Sequence, residues 1–585
     1  MWGECMELSH VPRNLLDLVK KAYEGEVALP DFQRNFVWTR QDIEELIKSI
    51  LENMFIGTFL IQEINPENPP FKTIYIRGAE EVNPNITLRK PRTLILDGQQ
   101  RLTSLFYAIY SPNLPLKNTT KPYAFFIDLN KLVKDDIDNA VFSLSKDCRE
   151  YKTLLNEDNS FDIEKLKERG FLPLTFLSDL LEFNEIWYSH FNSLFPKKVY
   201  GYIINILKYQ VSTLTLGLSY NDKPEQVVVL FERINKTGVK LSPYDLLVAR
   251  FYKIIKLREK WAEAFENNIN IKKFAGNVED TKVPYMFIQA LALSKGMSIK
   301  SRDLIKIDNS ILNEESWNKV VNIAENKVFQ RIFDISEYGI ADVEKWNPYT
   351  PTITLILAFF LKYDIPDMDK VNKWYWSSVF SERYSGSTES KMMKDFKEVS
   401  QWIEGNNKIP EVVENLRIEI QSGVYSLKKV KSPGSSKYKG VFNLIFKNRP
   451  MDFYKPDNIT YYDLEDHHIF PKGFLRNKGI SNEYIDSVLN KTPILDETNR
   501  RISRKSPSKY IKEMIEIQKR SGLPEDEAEN KVKEILKGHF INEEMFEILR
   551  NTDDPLSKDE IEENFNRFIE LREKLILEKI LELIS

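Results

Sequence analysis

The stretch DHHIFP, residues 466–471, decides how the C-terminal part of the chain folds, because it sets two of the protein's five histidines side by side before a proline. A histidine can accept a proton from water at neutral pH, and a neutral imidazole can also bind a metal ion. Adjacent histidines can divide these two tasks. The stretch therefore points to metal-assisted hydrolysis of a phosphodiester.

The residues around this stretch predict two short strands. Tyr461 to Glu465 is expected to form the first strand and to deliver the histidines at its end, where Pro471 forces a turn. Asn490 to Leu495 is expected to form the second strand. A polar turn that begins at Thr498 is expected to lead into a further helix.

Charge is distributed unevenly around the same stretch. The net charge of the chain is -4, yet residues 426–450 contain seven Lys or Arg and no acidic residue, and residues 498–512 contain six more and again no acidic residue. A single basic run is often plain solvated surface. Two runs that flank one candidate site favour a polyanion such as nucleic acid.

Length and composition limit the architecture. A chain of 585 residues exceeds the size of one hydrophobic core, and its 42% hydrophobic residues suffice for several cores. We expect four parts, 1–255, 256–430, 431–525 and 526–585. Two cysteines, Cys5 and Cys148, are too few for a disulfide framework. Without a signal-peptide pattern or a long apolar run, the chain is expected to be cytoplasmic and to have no membrane partner.

Apolar spacing predicts a predominantly helical α+β chain. The part before residue 255 mixes strands and helices, and residues 255–425 contain long helices without strand pairs. A capping box and an apolar stripe predict a C-terminal docking helix after Ser557. The elements expected in the first part are helices over 41–52, 99–110 and 225–235, and strands over 57–61, 93–96 and 211–216.

The order of the C-terminal motifs resembles a known nuclease fold. A strand with histidines and a proline, a second strand with Asn490, and Asn499 nine residues later are similar to the ββα-metal (HNH) nucleases. The strings 466–472 (DHHIFPK) and 499–507 (NRRISRKSP) more narrowly resemble the C-terminal nuclease domain of GmrSD-type (type IV) restriction enzymes.

This resemblance implies roles for individual residues. His468 would be the general base, and His467 and Asn499 would hold Mg²⁺ or Mn²⁺. Oxygen ligands with a single imidazole suit these ions better than zinc. Asp466 would be an alternative ligand or would orient an imidazole. The remaining implied roles are to hold the loop of His468 (Asn490) and to contact the scissile phosphate (Lys505 or Arg501).

A second motif lies in the amino-terminal part. The string DGQQRLTSL, residues 97–105, sits at a predicted junction of strand and helix, where backbone N–H groups and Arg101 would form a phosphate cradle. Together with the strings 29–38 (LPDFQRNFVW) and 231–242 (FERINKTGVKLS), it resembles the ParB/sulfiredoxin-like amino-terminal domain of GmrSD-type enzymes.

That resemblance implies a nucleotide site and a sensor of modified DNA. The nucleoside triphosphate would be GTP, UTP or a similar molecule. The residues implied in binding it are Asp97, Gly98, Gln99, Gln100 and Arg101, with Asn235 and Lys236 completing the pocket. The residues implied in sensing DNA are Phe32, Gln33, Arg34 and Trp38. Phe32 departs from the tyrosine common at this position, and it lacks the hydroxyl that a tyrosine would use.

Taken together, the motifs predict a modification-dependent DNA endonuclease of anti-phage defence, regulated by a nucleoside triphosphate and acting on double-stranded phage DNA. Two alternatives remain open at this stage. One is a nucleotide-regulated DNA-binding protein with a vestigial nuclease site, and the other is a nonspecific DNase or toxin. The sequence also leaves open whether the protein is a homodimer.

Overall fold

The computed structural model describes residues 8–33, 36–221, 226–227, 230, 242–456, 461, 464–553 and 556–585. The chain divides into two compact units, one that ends at Leu257 and one that begins at Arg258. This division lies close to the predicted boundary after residue 255. The further division of the second unit at residues 430 and 525 stays a prediction.

A six-stranded mixed sheet organises the first unit, with the strand order β1-β9-β3-β5-β2-β4. The central strands β3 and β5 are antiparallel, whereas β3 runs parallel to β9 and β2 runs parallel to β5. A second sheet has the order β7-β6-β8. The strands are β1 Leu8–Asn14, β2 Val27–Pro30, β3 Phe59–Glu63, β4 Thr73–Ile74, β5 Thr93–Asp97, β6 Tyr123–Asp128, β7 Val141–Ser145, β8 Phe171–Pro173 and β9 Gln210–Leu216.

Helices cover the sheets of this unit with buried apolar faces. The predicted helix over 99–110 and the strands over 93–96 and 211–216 are confirmed, and the predicted strand over 57–61 begins two residues later. The predicted helix over 225–235 falls largely outside the described residues. The α-helices are α1 Leu15–Tyr23, α2 Arg40–Leu51, α3 Ala79–Val82, α4 Gln99–Tyr110, α5 Leu129–Val133, α6 Arg149–Thr153, α7 Ile163–Arg169, α8 Leu180–Ile186, α9 Lys197–Lys208 and α10 Pro243–Phe251.

The second unit opens with a helical region, as its apolar spacing predicts. Between residues 258 and 447 the structure describes helices and connecting turns without a strand. The α-helices up to that point are α11 Leu257–Asn267, α12 Ile269–Ala275, α13 Lys282–Ser294, α14 Ser301–Leu304, α15 Glu314–Ile323, α16 Gln330–Phe333, α17 Ile335–Tyr338, α18 Val343–Trp346, α19 Thr350–Tyr363, α20 Met368–Phe380, α21 Thr388–Ile403, α22 Glu411–Gln421 and α23 Ser436–Lys447.

The remainder of this unit consists of a two-stranded ribbon surrounded by helices. The strand that contains the histidines spans Leu464–His468, so it extends past the predicted end at Glu465, while residues 462–463 of the predicted strand lie outside the described residues. Residues 496–502 form a helix where a polar turn was expected. The elements are β10 Leu464–His468, α24 Lys472–Asn477, β11 Lys491–Leu495, α25 Asp496–Ile502, α26 Pro507–Arg520, α27 Glu525–Lys537, α28 Glu543–Arg550 and α29 Lys558–Ile584.

The last helix, α29, follows its sequence pattern closely. The Ser557 side chain and Glu560 form the predicted capping box, and an apolar stripe from Ile561 to Ile584 is buried. The expectation of a predominantly helical α+β chain is confirmed. No helix among the described residues is long and apolar enough to cross a membrane.

Candidate active site

The histidine pair lies on the two-stranded ribbon of the second unit. Strands β10 and β11 are antiparallel, with His467 opposite Thr492 and His468 opposite Lys491. Because successive side chains of a strand point to opposite faces, Asp466 and His468 share one face and His467 lies on the other. Helix α25 follows β11 without a linker and brings Asn499 to the face of His467.

His467 and Asn499 are in direct contact. The Nδ1–H group of His467 donates to the Oδ1 atom of Asn499 at 2.6 Å. The histidine is 4% exposed, and burial lowers its pKa to about 4, so the imidazole is neutral at physiological pH. Its Nε2 atom is buried without a hydrogen-bond partner among the described residues. A neutral imidazole and an amide oxygen are ligand types of the predicted kind, and for both to bind one ion the proton on Nδ1 would have to move to Nε2.

The residues around His467 limit which ion could bind there. The 2.6 Å contact is a hydrogen bond, so an ion held by His467 and Asn499 would have to replace it. The described residues contain no group of three His, Cys, Asp or Glu side chains that would hold a metal ion. Mg²⁺ commonly keeps several waters and uses few protein ligands together with substrate phosphate. One imidazole and one amide oxygen are donors of a type that fits Mg²⁺ or Mn²⁺.

His468 is oriented by a carboxylate that sequence reasoning missed. Its Nε2–H group donates to the Oδ1 atom of Asp486 at 3.0 Å, which leaves the Nδ1 lone pair to accept a proton. Lys472 donates to the same carboxylate at 2.7 Å, and this bond is the largest cause that lowers the pKa of Asp486 to about 2. Burial, followed by the charge of Lys491, lowers the pKa of His468. Asp486 carries no signal in the sequence beyond its place four residues before Asn490.

Asp466 contacts a tyrosine and a lysine. Its Oδ2 atom accepts a hydrogen bond from the Tyr438 hydroxyl at 2.5 Å and lies 3.5 Å from the Lys491 Nζ atom. It lies on the opposite face of β10 from His467, and Asp486 makes the orienting contact to the imidazole of His468. Its expected role as an alternative ligand or an orienter of imidazole stays a prediction, and in this structure its carboxylate contacts Tyr438 and Lys491.

Asn490 holds the loop after the histidines. Its side chain is fully buried, accepts from the Phe470 N–H group at 2.8 Å and donates to the Ile485 carbonyl at 2.9 Å. Its backbone carbonyl accepts from the Ile469 N–H group at 2.8 Å. These contacts tie the segment after His468 to the segment that contains Asp486.

The two residues expected to contact the scissile phosphate are engaged by one carboxylate. Lys505 donates to Glu513 at 2.6 Å, and the Arg501 Nε atom lies 3.7 Å from the same side chain. The Tyr454 hydroxyl also donates to Glu513, at 2.8 Å. In this structure both cationic side chains therefore face the Glu513 carboxylate.

In the first unit, the Asp97–Arg101 turn is a junction between a strand and a helix, as predicted. Gly98 has a φ of 101°, and a Cβ atom there would lie 2.5 Å from the Phe59 ring, so no other residue fits. The Arg101 guanidinium donates to the Ile56 and Thr58 carbonyls at 2.7 and 3.0 Å. Burial lowers the pKa of Arg101. Arg101 therefore fixes the backbone of the segment that leads into β3.

Two of the residues expected to sense DNA, Phe32 and Gln33, are buried in this structure. The Phe32 ring is 1% exposed and meets Phe71 edge to face at 5.0 Å, so in this conformation it is not available to stack on a base. Gln33 is also buried and donates to the Ile95 and Leu96 carbonyls at 2.6 and 2.8 Å.

The other predicted residues of this region are only partly placed. Trp38 is half-buried against the core of the unit. Gln99 is half-buried at the start of α4, and the buried Gln100 accepts from the Val37 N–H group at 3.0 Å. Arg34, Asn235 and Lys236 lie outside the described residues.

Comparison with known proteins places the amino-terminal unit in a known context. Residues 15–252 match the family described as the GmrSD restriction endonuclease, N-terminal domain. Uncharacterized protein MJ0686 of Methanocaldococcus jannaschii is 89% identical over 580 residues, which cover 99% of this chain and 100% of that protein. The matched family region includes the Asp97–Arg101 turn and ends before the His467 site.

Proposed function

We propose that this chain, whose residues 15–252 match the N-terminal domain family of the GmrSD restriction endonucleases, is a metal-dependent DNA endonuclease of the HNH type. We further propose that it cuts modified phage DNA and that a nucleoside triphosphate regulates it. The observation that carries the proposal is the contact between His467 and Asn499, next in sequence to a histidine, His468, that is oriented by the Asp486 carboxylate.

The proposed reaction begins with proton transfer to His468. Its Nδ1 atom accepts the proton of a water molecule, which attacks the phosphorus atom. The resulting imidazolium is stabilised by the Asp486 carboxylate through the 3.0 Å hydrogen bond. Because burial lowers the pKa of His468, the base is already deprotonated at neutral pH.

His467 and Asn499 would hold the ion. When bound, Mg²⁺ or Mn²⁺ supplies positive charge that neutralises the departing oxyanion. The pKa of about 4 keeps His467 neutral, which a ligand histidine requires. Lys505 and Arg501 would exchange Glu513 for the DNA phosphate on binding.

We propose that the Asp97–Arg101 turn binds the phosphates of GTP, UTP or a similar nucleotide. Gly98 allows close approach of a ligand to the backbone, and α4 begins there without a side-chain cap, at a helix N-terminus of the kind that binds phosphate groups. Arg101→Ala is expected to abolish hydrolysis and also to lower the melting temperature, since this side chain pins two carbonyls. Gln99→Ala is expected to reduce hydrolysis alone.

A DNA panel tests the whole proposal. Plasmid or phage DNA with glucosylated bases, methylated bases, a sulfur-modified backbone or no modification is incubated with Mg²⁺ or Mn²⁺, with and without GTP or UTP, and with EDTA. We expect strand breaks in one modified DNA, dependence on nucleotide, and none with EDTA. Binding without cleavage in every arm would favour a vestigial site, and equal cleavage of all DNAs would favour a nonspecific nuclease.

A further inference from the structure

The C-terminal helix α29 carries one cation in its apolar face. Arg572 is fully buried in a stripe that also contains Phe568, Ile569 and Ile576. No carboxylate of a described residue lies within ion-pairing distance of it. Burial lowers the pKa of Arg572 to about 9, so the guanidinium is still charged at neutral pH. A leucine or methionine would fill this position without burying a charge.

The hydrogen bonds of Arg572 indicate what this charge does. Its Nη1 atom donates to the carbonyls of Leu489 and Lys491, both at 2.7 Å. Its Nη2 atom donates to the His539 carbonyl at 2.9 Å. Leu489 and Lys491 flank Asn490 in the sequence, so one planar guanidinium group binds the backbone on both sides of that residue.

From Asn490 the contacts lead directly to the proposed base. Asn490 binds the Ile469 and Phe470 backbone, which follows His468, and the Ile485 carbonyl, which precedes Asp486. A shift of the turn around Asn490 would therefore move the imidazole and the carboxylate that orients it.

The side chain of His539 also contacts strand β11. It is fully buried, and its Nε2–H group donates to the Met451 carbonyl at 2.7 Å. Its Nδ1 atom then accepts from the Thr492 hydroxyl at 2.6 Å. Arg572 thus binds both the turn that contains Asn490 and the backbone carbonyl of His539, whose side chain contacts β11.

We propose that Arg572 is a positioning residue of the nuclease, which sets the geometry of His468 and Asp486 by fixing the Asn490 turn from the C-terminal helix. This inference rests on the proposed nuclease function. It assigns α29, which the sequence marks only as a docking helix, a part in building the active site.

The test compares Arg572→Met with Ile580→Ala, which removes a buried side chain elsewhere on the same helix. Single-turnover cleavage, DNA affinity, melting temperature and amide hydrogen exchange are measured for both variants. We expect Arg572→Met to cleave about 100-fold more slowly, with unchanged DNA affinity, because a small displacement of a catalytic group has an effect of this size. Exchange at the Ile469 and Phe470 amides should accelerate in this variant alone. If Arg572→Met does not fold, Arg572→Lys replaces it, since lysine keeps the charge but lacks the planar fork.

The inference would be overturned if both variants lost the same cleavage activity at the same decrease in melting temperature. It would also be overturned if Arg572→Met left amide exchange at Ile469 and Phe470 unchanged. A wild-type protein that cleaves no DNA would instead contradict the proposed function. The exchange measurement would then still decide whether Arg572 holds the turn.

Discussion

The imidazole Nδ1 atom of His467 lies 2.6 Å from the amide Oδ1 atom of Asn499. The contact joins the strand that carries the histidine pair to the helix that follows the second strand. We predict that Asn499→Ala weakens binding of Mn²⁺ about 10- to 100-fold, since it removes an oxygen ligand. Calorimetric titration with Mn²⁺ measures the change. The exposed Asn477 provides the control variant Asn477→Ala, and equal affinities for the two variants would refute the assignment.

Asp486→Asn tests the orientation of His468. The amide keeps the size of the side chain but removes the negative charge that stabilises the imidazolium. We expect single-turnover cleavage to fall about 100-fold, with DNA affinity retained. Glu483→Gln is the matched control, because Glu483 pairs with the exposed Lys429 and not with a histidine. A rate for Asp486→Asn equal to that of the control would remove the carboxylate from the mechanism.

Glu513→Gln should release Lys505 and Arg501 for DNA. We expect DNA to bind about fivefold more tightly at low salt, a gain of roughly 1 kcal/mol, and the salt dependence of binding to steepen. Fluorescence anisotropy at several salt concentrations measures both effects. The control is Glu516→Gln on the same helix, where the carboxylate pairs with Lys519. If both variants bind DNA as the wild type does, Lys505 and Arg501 do not contact phosphate.

His539 predicts a pH dependence of stability. Burial lowers its pKa to about 4, below the ordinary value of about 6.5. On acidification, the unfolded chain therefore protonates this histidine at a higher pH than the folded protein does. The contribution of the neutral imidazole to the free energy of unfolding is fully present above pH 6.5, and about 3 kcal/mol of it is lost as the pH falls to about 4. Urea unfolding of the wild type and His539→Gln at several pH values tests this. The variant should be less stable at neutral pH and lose less stability on acidification. Parallel curves would contradict the prediction.

Local patterns predicted much of the fold. The helix over 99–110 and the capping box at Ser557 depend on short-range spacing and capping, which a sequence displays directly. The strand that contains His467 extends past the end predicted for it, because polar residues in a strand conceal its period of two. Its strand character comes from pairing with β11, which is distant in sequence.

The sequence predicts residues of the candidate site only where they belong to a recognised motif. His467, His468, Asn490 and Asn499 belong to the recognised motifs, and the structure places the histidines on β10, Asn490 directly before β11 and Asn499 on α25. Asp486 and Arg572 could not be found in this way. An isolated aspartate has no distinctive spacing, and an arginine in an apolar stripe resembles a surface residue until the partners that bury it are known.

Cleavage by His468→Ala tests the central claim most directly. The variant is compared with the wild type and with His190→Ala, whose histidine lies in the first unit, on a cleavable DNA with Mn²⁺. We predict that His468→Ala folds and binds DNA but loses at least about 100-fold in cleavage rate, as expected on removal of a general base. His190→Ala should cleave normally. Cleavage by His468→Ala at the wild-type rate would contradict the assignment of the active site.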